Sequence, residues 1–136
     1  MTSAFVDTSA FVALIDRKDR HHRAAKGFLR TAARQRRPLV TSTYIADEAI
    51  TMVRMSIGHA EAVRLGERLP RSEWCRIVDV SQDLRAAAWE LFVRYDDQNF
   101  SFTDCTSFAL MRTMHLADAF TFDRRDFSAA GFVPVP

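Results

Sequence analysis

The chain opens with a stretch that decides its fold, Phe5-Val-Asp-Thr-Ser-Ala-Phe-Val-Ala-Leu-Ile-Asp16. Phe5 and Val6 form a short apolar run that is typical of a buried strand. Asp7-Thr-Ser follows at once, and these short polar side chains satisfy the free amides at the start of a helix, which predicts a helix over residues 10–16. A buried strand that runs directly into a helix predicts the first half of a βαβ unit.

The same alternation continues along the chain. Further strands are predicted at residues 39–40, 74–80, 119–122 and 132–135, and further helices over residues 20–36, 45–53, 60–69 and 84–95 and after a cap at Thr103-Asp104, with a polar loop over 96–102. Alternating strands and helices favour right-handed crossovers and a parallel sheet that is covered on both faces. We therefore predict an α/β fold, a three-layer α/β/α sandwich with a central parallel sheet, built as a single domain over residues 1–136.

Composition limits the functions that the chain can have. No apolar run approaches the ~18–20 residues of a membrane span, and no basic region precedes an apolar stretch at the N-terminus, so we expect a cytoplasmic protein without a secretory signal. Cys75 and Cys105 do not form a CxxC pair and are interpreted as small buried hydrophobic residues. The formal net charge is only +2, but apart from Lys18 and Lys26 all the cations are arginine. Arginine suits phosphate binding, although a genomic preference for arginine codons explains the count equally well.

Four acidic residues fall at related positions. Asp7 and Asp123 directly follow predicted strands, Asp104 starts a late helix, and Glu48 lies one turn into the helix after the second strand. Because sites in parallel sheets form at the carboxyl ends of the strands, these four carboxylates are expected at one edge. A close pair repels by ~4 kcal/mol at ~4 Å and an effective dielectric constant near 20. Divalent cations relieve this repulsion, and an all-oxygen ligand set selects Mg²⁺ or Mn²⁺, as in enzymes that cleave phosphodiesters.

Each acid also has an ordinary structural explanation. Asp7 and Asp104 could serve only as helix N-caps, and Asp123 could be a turn aspartate. Glu48, next to Asp47, could belong to a solvated helix face. The joint placement of the four residues therefore carries the prediction of a metal site.

Two other α/β families with acidic pockets fit the sequence poorly. A phosphoacceptor receiver domain would carry a second acid beside Asp7 and a late lysine, but Thr8 follows Asp7 and no lysine occurs after Lys26. A haloacid-dehalogenase-type phosphatase would carry an aspartate at the position of Ser9.

The motifs resemble those of the PIN-domain family, and in particular the VapC-type toxins of toxin–antitoxin pairs. The quoted opening resembles the start of a PIN domain, and Asp19-Arg-His-His22 resembles the spacer of the VapC type. The segments Ala46-Asp-Glu-Ala49 and Ser101-Phe-Thr-Asp-Cys-Thr-Ser-Phe-Ala109 resemble the second-acid and third-acid motifs. Ala119-Phe-Thr-Phe-Asp-Arg-Arg-Asp-Phe127 resembles the closing motif. The resemblance extends over nearly the whole chain.

This resemblance implies an endoribonuclease whose catalytic and metal-binding set is Asp7, Glu48, Asp104 and Asp123. Hydroxyl groups are expected to support the set from Thr8, Ser9 and Thr103. The fourth acid is open, because Asp118 and Asp126 lie in the same motif; Asp123 is preferred since it directly follows the predicted strand. One or two Mg²⁺ ions, with Mn²⁺ as a substitute, would activate water for cleavage and leave a 5′-phosphate and a 3′-hydroxyl. The phosphate contacts are predicted at Arg17, Arg112, Arg124 and Arg125.

The resemblance also implies partners. Loops of transfer RNA or ribosomal RNA are the expected substrates, a homodimer is the expected assembly, and an antitoxin is the expected protein partner. An apolar groove near Phe11, Phe28 and Leu29 could receive the antitoxin, although these residues fit a core equally well. Two alternatives stay open: an RNA-processing PIN nuclease without an antitoxin, and a PIN scaffold that binds RNA or protein without cleaving.

Overall fold

A five-stranded parallel sheet forms the centre of the molecule in a computed structural model, which describes residues 2–136. The strands are β1 (Ala4–Val6), β2 (Leu39–Ser42), β3 (Cys75–Val78), β4 (Asp118–Phe120) and β5 (Val133–Val135). They lie in the order β3-β2-β1-β4-β5, and every neighbouring pair is parallel. The predicted α/β fold with a central parallel sheet is confirmed.

Seven helices connect the strands. They are α1 (Thr8–Ile15), α2 (His22–Arg34), α3 (Thr43–Ser56), α4 (His59–Arg68), α5 (Gln82–Arg94), α6 (Phe102–Thr113) and α7 (Arg124–Ala129). The chain moves outward from β1 to β3 and then returns to the other side of β1 for β4 and β5. Right-handed crossovers therefore place α1–α4 on one face of the sheet and α5–α7 on the other. The direction of winding reverses between β1 and β4, where sites form in sheets of this kind.

Phenylalanine side chains fill much of the core, as the composition predicts. Phe5, Phe11 and Phe120 are fully buried. The buried ring of Phe108 packs edge-on against Phe127, with 5.2 Å between the centroids. Cys75 and Cys105 are buried and unpaired, as expected.

Several predicted boundaries were wrong, and one helix was missed. The N-cap of α6 is Ser101, whose Oγ accepts from the backbone N–H of Asp104, so Thr103 lies inside the helix. β4 ends at Phe120, two residues earlier than predicted, because the backbone amide of Phe122 donates to the Ser9 hydroxyl and not to a neighbouring strand. Helix α7 was missed altogether because its six residues are too few to display a helical period.

Among residues 2–136, no helix combines the length and the apolar character that a bilayer crossing requires.

Candidate metal centre

The register of β1 and β4 brings together residues that are far apart in the sequence. Val6 pairs with Phe120, and each strand ends there, so Asp7 comes level with Thr121 one step further on. The hydroxyl of Thr121 donates to Oδ2 of Asp7 at 2.9 Å. The same hydroxyl oxygen accepts from the backbone N–H of Asp123 at 3.0 Å. One side chain thus links the acid after β1 to the acid after β4.

A second hydroxyl completes this link. Oγ of Ser9 donates to Oδ2 of Asp7 at 3.1 Å and accepts from the backbone N–H of Phe122 at 2.9 Å. Both donors use the same oxygen of Asp7, Oδ2. The N-cap position of α1 is Asp7, but its side chain makes no capping hydrogen bond, so the alternative explanation of Asp7 as a helix cap does not account for its carboxylate.

Asp104 is held by the first turn of α6. Its Oδ2 accepts from the backbone N–H of Ser101 at 3.0 Å, and the Ser101 hydroxyl accepts from the Asp104 amide in return. This reciprocal pair is a capping box. The box fixes the direction of the Asp104 side chain and occupies one of its two oxygens. Asp104 can therefore cap the helix and offer its other oxygen to a ligand.

Three carboxylates form a tight cluster. Oxygens of Asp104, Asp123 and Asp126 all lie within 4.8 Å of one another. Asp123 precedes α7, and Asp126 lies in its first turn. The helix that the sequence did not reveal therefore adds a carboxylate to the set, and both Asp123 and Asp126 belong to it.

The third option for the fourth acid lies elsewhere. Asp118 is level with Ala4 at the amino end of β4. Its carboxylate pairs with the guanidinium of Arg37 at 2.6 Å. Asp118 therefore stabilises the opposite edge of the sheet and is not close to the cluster.

Burial, and to a smaller extent neighbouring negative charges, raise the pKa values of three acids at this edge. Burial raises the pKa of Asp7 from 3.8 to about 6, and the negative charge of Asp104 adds to the effect, while the hydrogen bond from Thr121 opposes it. Burial also raises the pKa of Asp104, as do the charges of Asp123 and Glu48. The pKa of Asp126 is raised by burial and by the charge of Asp123. Asp104 thus lies at the centre of the acidic residues.

Glu48 approaches from α3. It is half-buried and lines a cleft of about 420 Å³ with Tyr44 and Thr103. Thr103 lines the same cleft, and its carbonyl accepts from the hydroxyl of Thr106. The hydroxyl of Thr8 is buried and has no hydrogen-bond partner among the described residues.

The four arginines that the sequence singled out are scattered. Arg17 is exposed after α1. Arg112 lies in the last turn of α6, about 12 Å along the helix from Asp104, and donates to the hydroxyl of Tyr95. Arg124 donates to the carbonyl of Pro136. The charge of Arg125 lowers the pKa of Asp126, so this arginine lies beside the cluster.

Thr121 is the residue beside the cluster that sequence reasoning missed. Thr121 stands two positions before Asp123, and the pattern Thr-Phe-Asp at the end of a strand was a usable signal. Asp126 was an open alternative for the fourth acid, and its place in the cluster depends on a short helix that the sequence did not reveal.

The donor set fits a hard divalent cation. The clustered ligand atoms are carboxylate oxygens, without sulfur or imidazole nitrogen. Mg²⁺ and Mn²⁺ prefer such ligands, and a cation would offset the repulsion that raises the pKa values. The geometry is therefore that of a metal centre at the carboxyl edge of a parallel sheet.

Comparisons with known proteins identify the family of the chain. The chain is 40% identical over 131 residues to the 23S rRNA-specific endonuclease VapC20 of Mycobacterium tuberculosis, covering 96% of each protein. The crystal structure of that VapC20, described as a Sarcin-Ricin loop cleaving toxin, superimposes with a TM-score of 0.89 at 39% identity and covers 97% of this chain and 98% of the other.

More distant structures share the fold. FitAcB from Neisseria gonorrhoeae has a TM-score of 0.73 at 16% identity and covers 100% of this chain and 97% of its own. VapBC2 from Rickettsia felis, bound to a DNA fragment from the promoter, has a TM-score of 0.73 at 13% identity, with coverage of 100% and 98%. The family model of the PIN domain matches residues 4–133. The chain whose acids meet at the switch between β1 and β4 thus belongs to the PIN domain family.

Proposed function

We propose that this protein is a divalent-metal-dependent endoribonuclease of the VapC toxin type, built as a single PIN domain. The observation that carries the proposal is the cluster of carboxylate oxygens from Asp104, Asp123 and Asp126 within 4.8 Å of one another. Asp7 and Glu48 add negative charge around Asp104. The relative of 40% identity is named as an endonuclease specific for 23S rRNA, and we infer the same substrate class here, a loop of ribosomal RNA in the cytoplasm.

The chain supplies ligands and their orientation. A bound divalent cation, which we propose to be Mg²⁺, would activate water and stabilise the charge that develops on the scissile phosphate. Asp104, Asp123 and Asp126 would hold it, and the carboxylate of Asp7 would add negative charge beside Asp104. The capping box at Ser101 fixes Asp104 before any cation arrives, and this preorganisation reduces the cost of binding.

Cleavage of purified ribosomes tests the proposal. Wild-type protein with Mg²⁺ should cut 23S rRNA at one loop and leave a 5′-phosphate and a 3′-hydroxyl, as determined by sequencing the new ends. Asp104→Asn should abolish cleavage and retain the fold. Asp96→Asn makes the same charge change in an exposed loop and should cleave normally. Full activity of a folded Asp104→Asn protein would refute the assignment.

Mn²⁺ binding separates this proposal from a scaffold that does not cleave. The acidic residues favour the nuclease, because a scaffold has no use for five carboxylates at one edge. Wild-type protein should bind Mn²⁺ in a titration followed by electron paramagnetic resonance, and Asp7→Asn should bind it more weakly. Equal affinities would favour the scaffold.

An antitoxin is the proposed protein partner. A groove of about 290 Å³ between the early helices is lined by apolar side chains and by more basic than acidic ones. The apolar residues include Phe11, Leu29 and Trp74, and the charged residues are Lys26, Glu61, Arg64 and Arg68. An amphipathic segment with acidic side chains fits this chemistry. Phe28, which the sequence also suggested for the groove, packs against Phe120 instead, with 4.3 Å between the ring centroids.

Substitution of Leu29 tests the groove. Leu29→Glu should prevent co-purification with the product of a small neighbouring reading frame, while rRNA cleavage is retained. If no such reading frame lies beside the gene, the alternative of an RNA-processing nuclease without an antitoxin is favoured.

The homodimer that the resemblance implies stays a prediction. Exposed apolar side chains on α5, including Trp89 at 58% exposure and Val93 at 61%, offer a face for a second copy. Sedimentation velocity of wild-type protein and of Trp89→Arg measures the assembly. A monomeric wild-type protein at micromolar concentration would contradict it.

A further inference from the structure

Positive charge is concentrated in one segment of the chain. Between Asp19 and Asp47 the sequence contains no acidic residue. The same segment holds seven of the 19 arginines and lysines, at positions 20, 23, 26, 30, 34, 36 and 37, so the rest of the chain is net negative although the total is +2. This asymmetry identifies α2 and its flanks as the basic part of the molecule.

Three arginines of α2 lie in a row. Arg23, Arg30 and Arg34 are separated by seven and four residues, which brings them within an arc of about 40° on a helix with about 100° per residue. All three are exposed. The row lies opposite Ala25 and Ala32, the buried residues of α2. It therefore faces solvent over a length of about 16 Å.

The charges of this row are not neutralised within the protein. Among residues 2–136, the ion pairs within 4.0 Å are Arg37 with Asp118 and Arg64 with Glu61. α2 itself carries no acid in its first turn. A row of unpaired guanidinium groups attracts an anionic partner of matching length.

The row begins beside the metal centre. His21, which precedes α2, stacks on Phe122 with 4.4 Å between the ring centroids and 7° between the planes. Phe122 directly precedes Asp123 of the acidic cluster. A polymer bound at the cluster would therefore meet Arg23 first and continue along α2.

The composition of the exposed face indicates the partner. The positions beside the row carry small residues, Ala24, Gly27 and Thr31. Proteins that hold single-stranded nucleic acid stack its bases on aromatic side chains, and protein partners need apolar anchors. The face offers neither, so its chemistry suits the phosphate backbone of a duplex.

We propose that Arg23, Arg30 and Arg34 bind the phosphate backbone of the RNA duplex that closes the cleaved loop. The inference rests on the proposed nuclease function and extends it to a second contact outside the metal centre. The row positions the folded RNA and contributes no group to the reaction itself.

RNA binding without cleavage tests the row. Fluorescence anisotropy in EDTA measures the affinity for a labelled stem–loop RNA as the salt concentration is varied. The triple variant Arg23→Gln, Arg30→Gln, Arg34→Gln should bind at least tenfold more weakly. The slope of log affinity against log salt should fall by about two, since each lost phosphate contact removes ~0.7–0.9.

A matched triple variant controls for net charge. Arg54, Arg71 and Arg94 are exposed on other elements, and their replacement by glutamine should change the affinity less than threefold. Glutamine has nearly the helix propensity of arginine, so circular dichroism should show both variants folded. Equal weakening in the two triple variants would overturn the inference, because net charge alone would then explain it.

Cleavage of two RNAs completes the test. The row variant should lose cleavage of the stem–loop at low RNA concentration and retain wild-type cleavage of an unpaired oligonucleotide with the same loop sequence. An equal loss on both RNAs would overturn the inference, as would normal RNA affinity combined with loss of an acidic protein partner. If wild-type protein cleaves neither RNA, the nuclease proposal fails, and the binding curves in EDTA still decide the role of the row.

Discussion

The hydroxyl of Thr121 lies 2.9 Å from Oδ2 of Asp7 and donates a hydrogen bond to it. The hydroxyl oxygen of Thr121 also accepts from the Asp123 amide at 3.0 Å. Thr121 therefore positions two acids at once. Replacement by valine keeps the shape and removes both bonds. A hydrogen bond to a charged group contributes about 1.5–3 kcal/mol, so Thr121→Val should reduce kcat/KM for rRNA at least tenfold and weaken Mn²⁺ binding.

Thr121→Ser is the matched control, because it restores the hydroxyl. It should recover most of the activity and of the Mn²⁺ affinity. If the valine variant cleaves as well as wild type, Thr121 does not position Asp7.

Asp7 makes the metal-free protein sensitive to pH. Its pKa is raised from 3.8 to about 6, so the folded protein binds a proton more tightly than the unfolded chain does. Ionisation of Asp7 therefore destabilises the folded protein relative to the unfolded chain. This cost is absent below pH ~4, grows as the pH rises towards 6, and reaches about 3 kcal/mol above it. In EDTA, Asp7→Asn should be more stable than wild type at pH 7.5, and the difference should shrink towards pH 4.5.

Urea denaturation at several pH values measures this difference, with Asp96→Asn as the control that should follow wild type. Mg²⁺ should raise the stability of wild-type protein at pH 7.5 more than that of Asp7→Asn. If the difference in the free energy of unfolding between the two proteins is constant from pH 4.5 to 7.5, burial does not raise the pKa of Asp7.

Asp118 should affect stability and not catalysis. Its ion pair with Arg37 is largely shielded, with side-chain exposures of 29% and 13%. Asp118→Asn should lower the free energy of unfolding by about 1–2 kcal/mol while leaving kcat/KM and Mn²⁺ affinity unchanged. By contrast, Asp126→Asn should impair Mn²⁺ binding without lowering the free energy of unfolding. Loss of Mn²⁺ affinity in Asp118→Asn would contradict the assignment of Asp126, and not Asp118, to the metal site.

Gly27 offers a route to a more stable protein. It lies in the middle of α2, and a Cβ added there would meet no atom within 4 Å. Alanine is better than glycine inside a helix by about 0.5–1 kcal/mol, so Gly27→Ala should raise the midpoint of urea denaturation. Unchanged or lower stability would indicate that α2 is already rigid without help at this position.

The sequence predicts the sheet because its strands are apolar and its caps are short polar residues. Ser81 caps α5, with its Oγ accepting from the amide of Leu84. The end of β4 escaped prediction because Thr121 and Phe122 have strand-like side chains, while their conformation is set by Ser9 and by the last strand. These are tertiary contacts, which local propensity does not contain.

The site was predictable in outline for a similar reason. Asp7 and Asp104 each stand at the boundary of an element, and topology brings such boundaries together. Asp126 depends on a helix of six residues, and its approach to Asp104 follows from the packing of α7 and not from any period in the sequence. In the sequence, the arginines of α2 appeared only as part of a general excess of arginine. The structure shows that three of them lie on the exposed face of the helix.

The central position of β1 has a consequence for how the protein is made. β1 lies between β2 and β4, and the last acids of the cluster stand at positions 123 and 126 of 136. During synthesis, a chain still attached to the ribosome cannot assemble the cluster until almost its entire length has emerged. A truncated product that ends before β4 lacks Asp123 and Asp126, so premature termination yields a fragment without the acidic cluster.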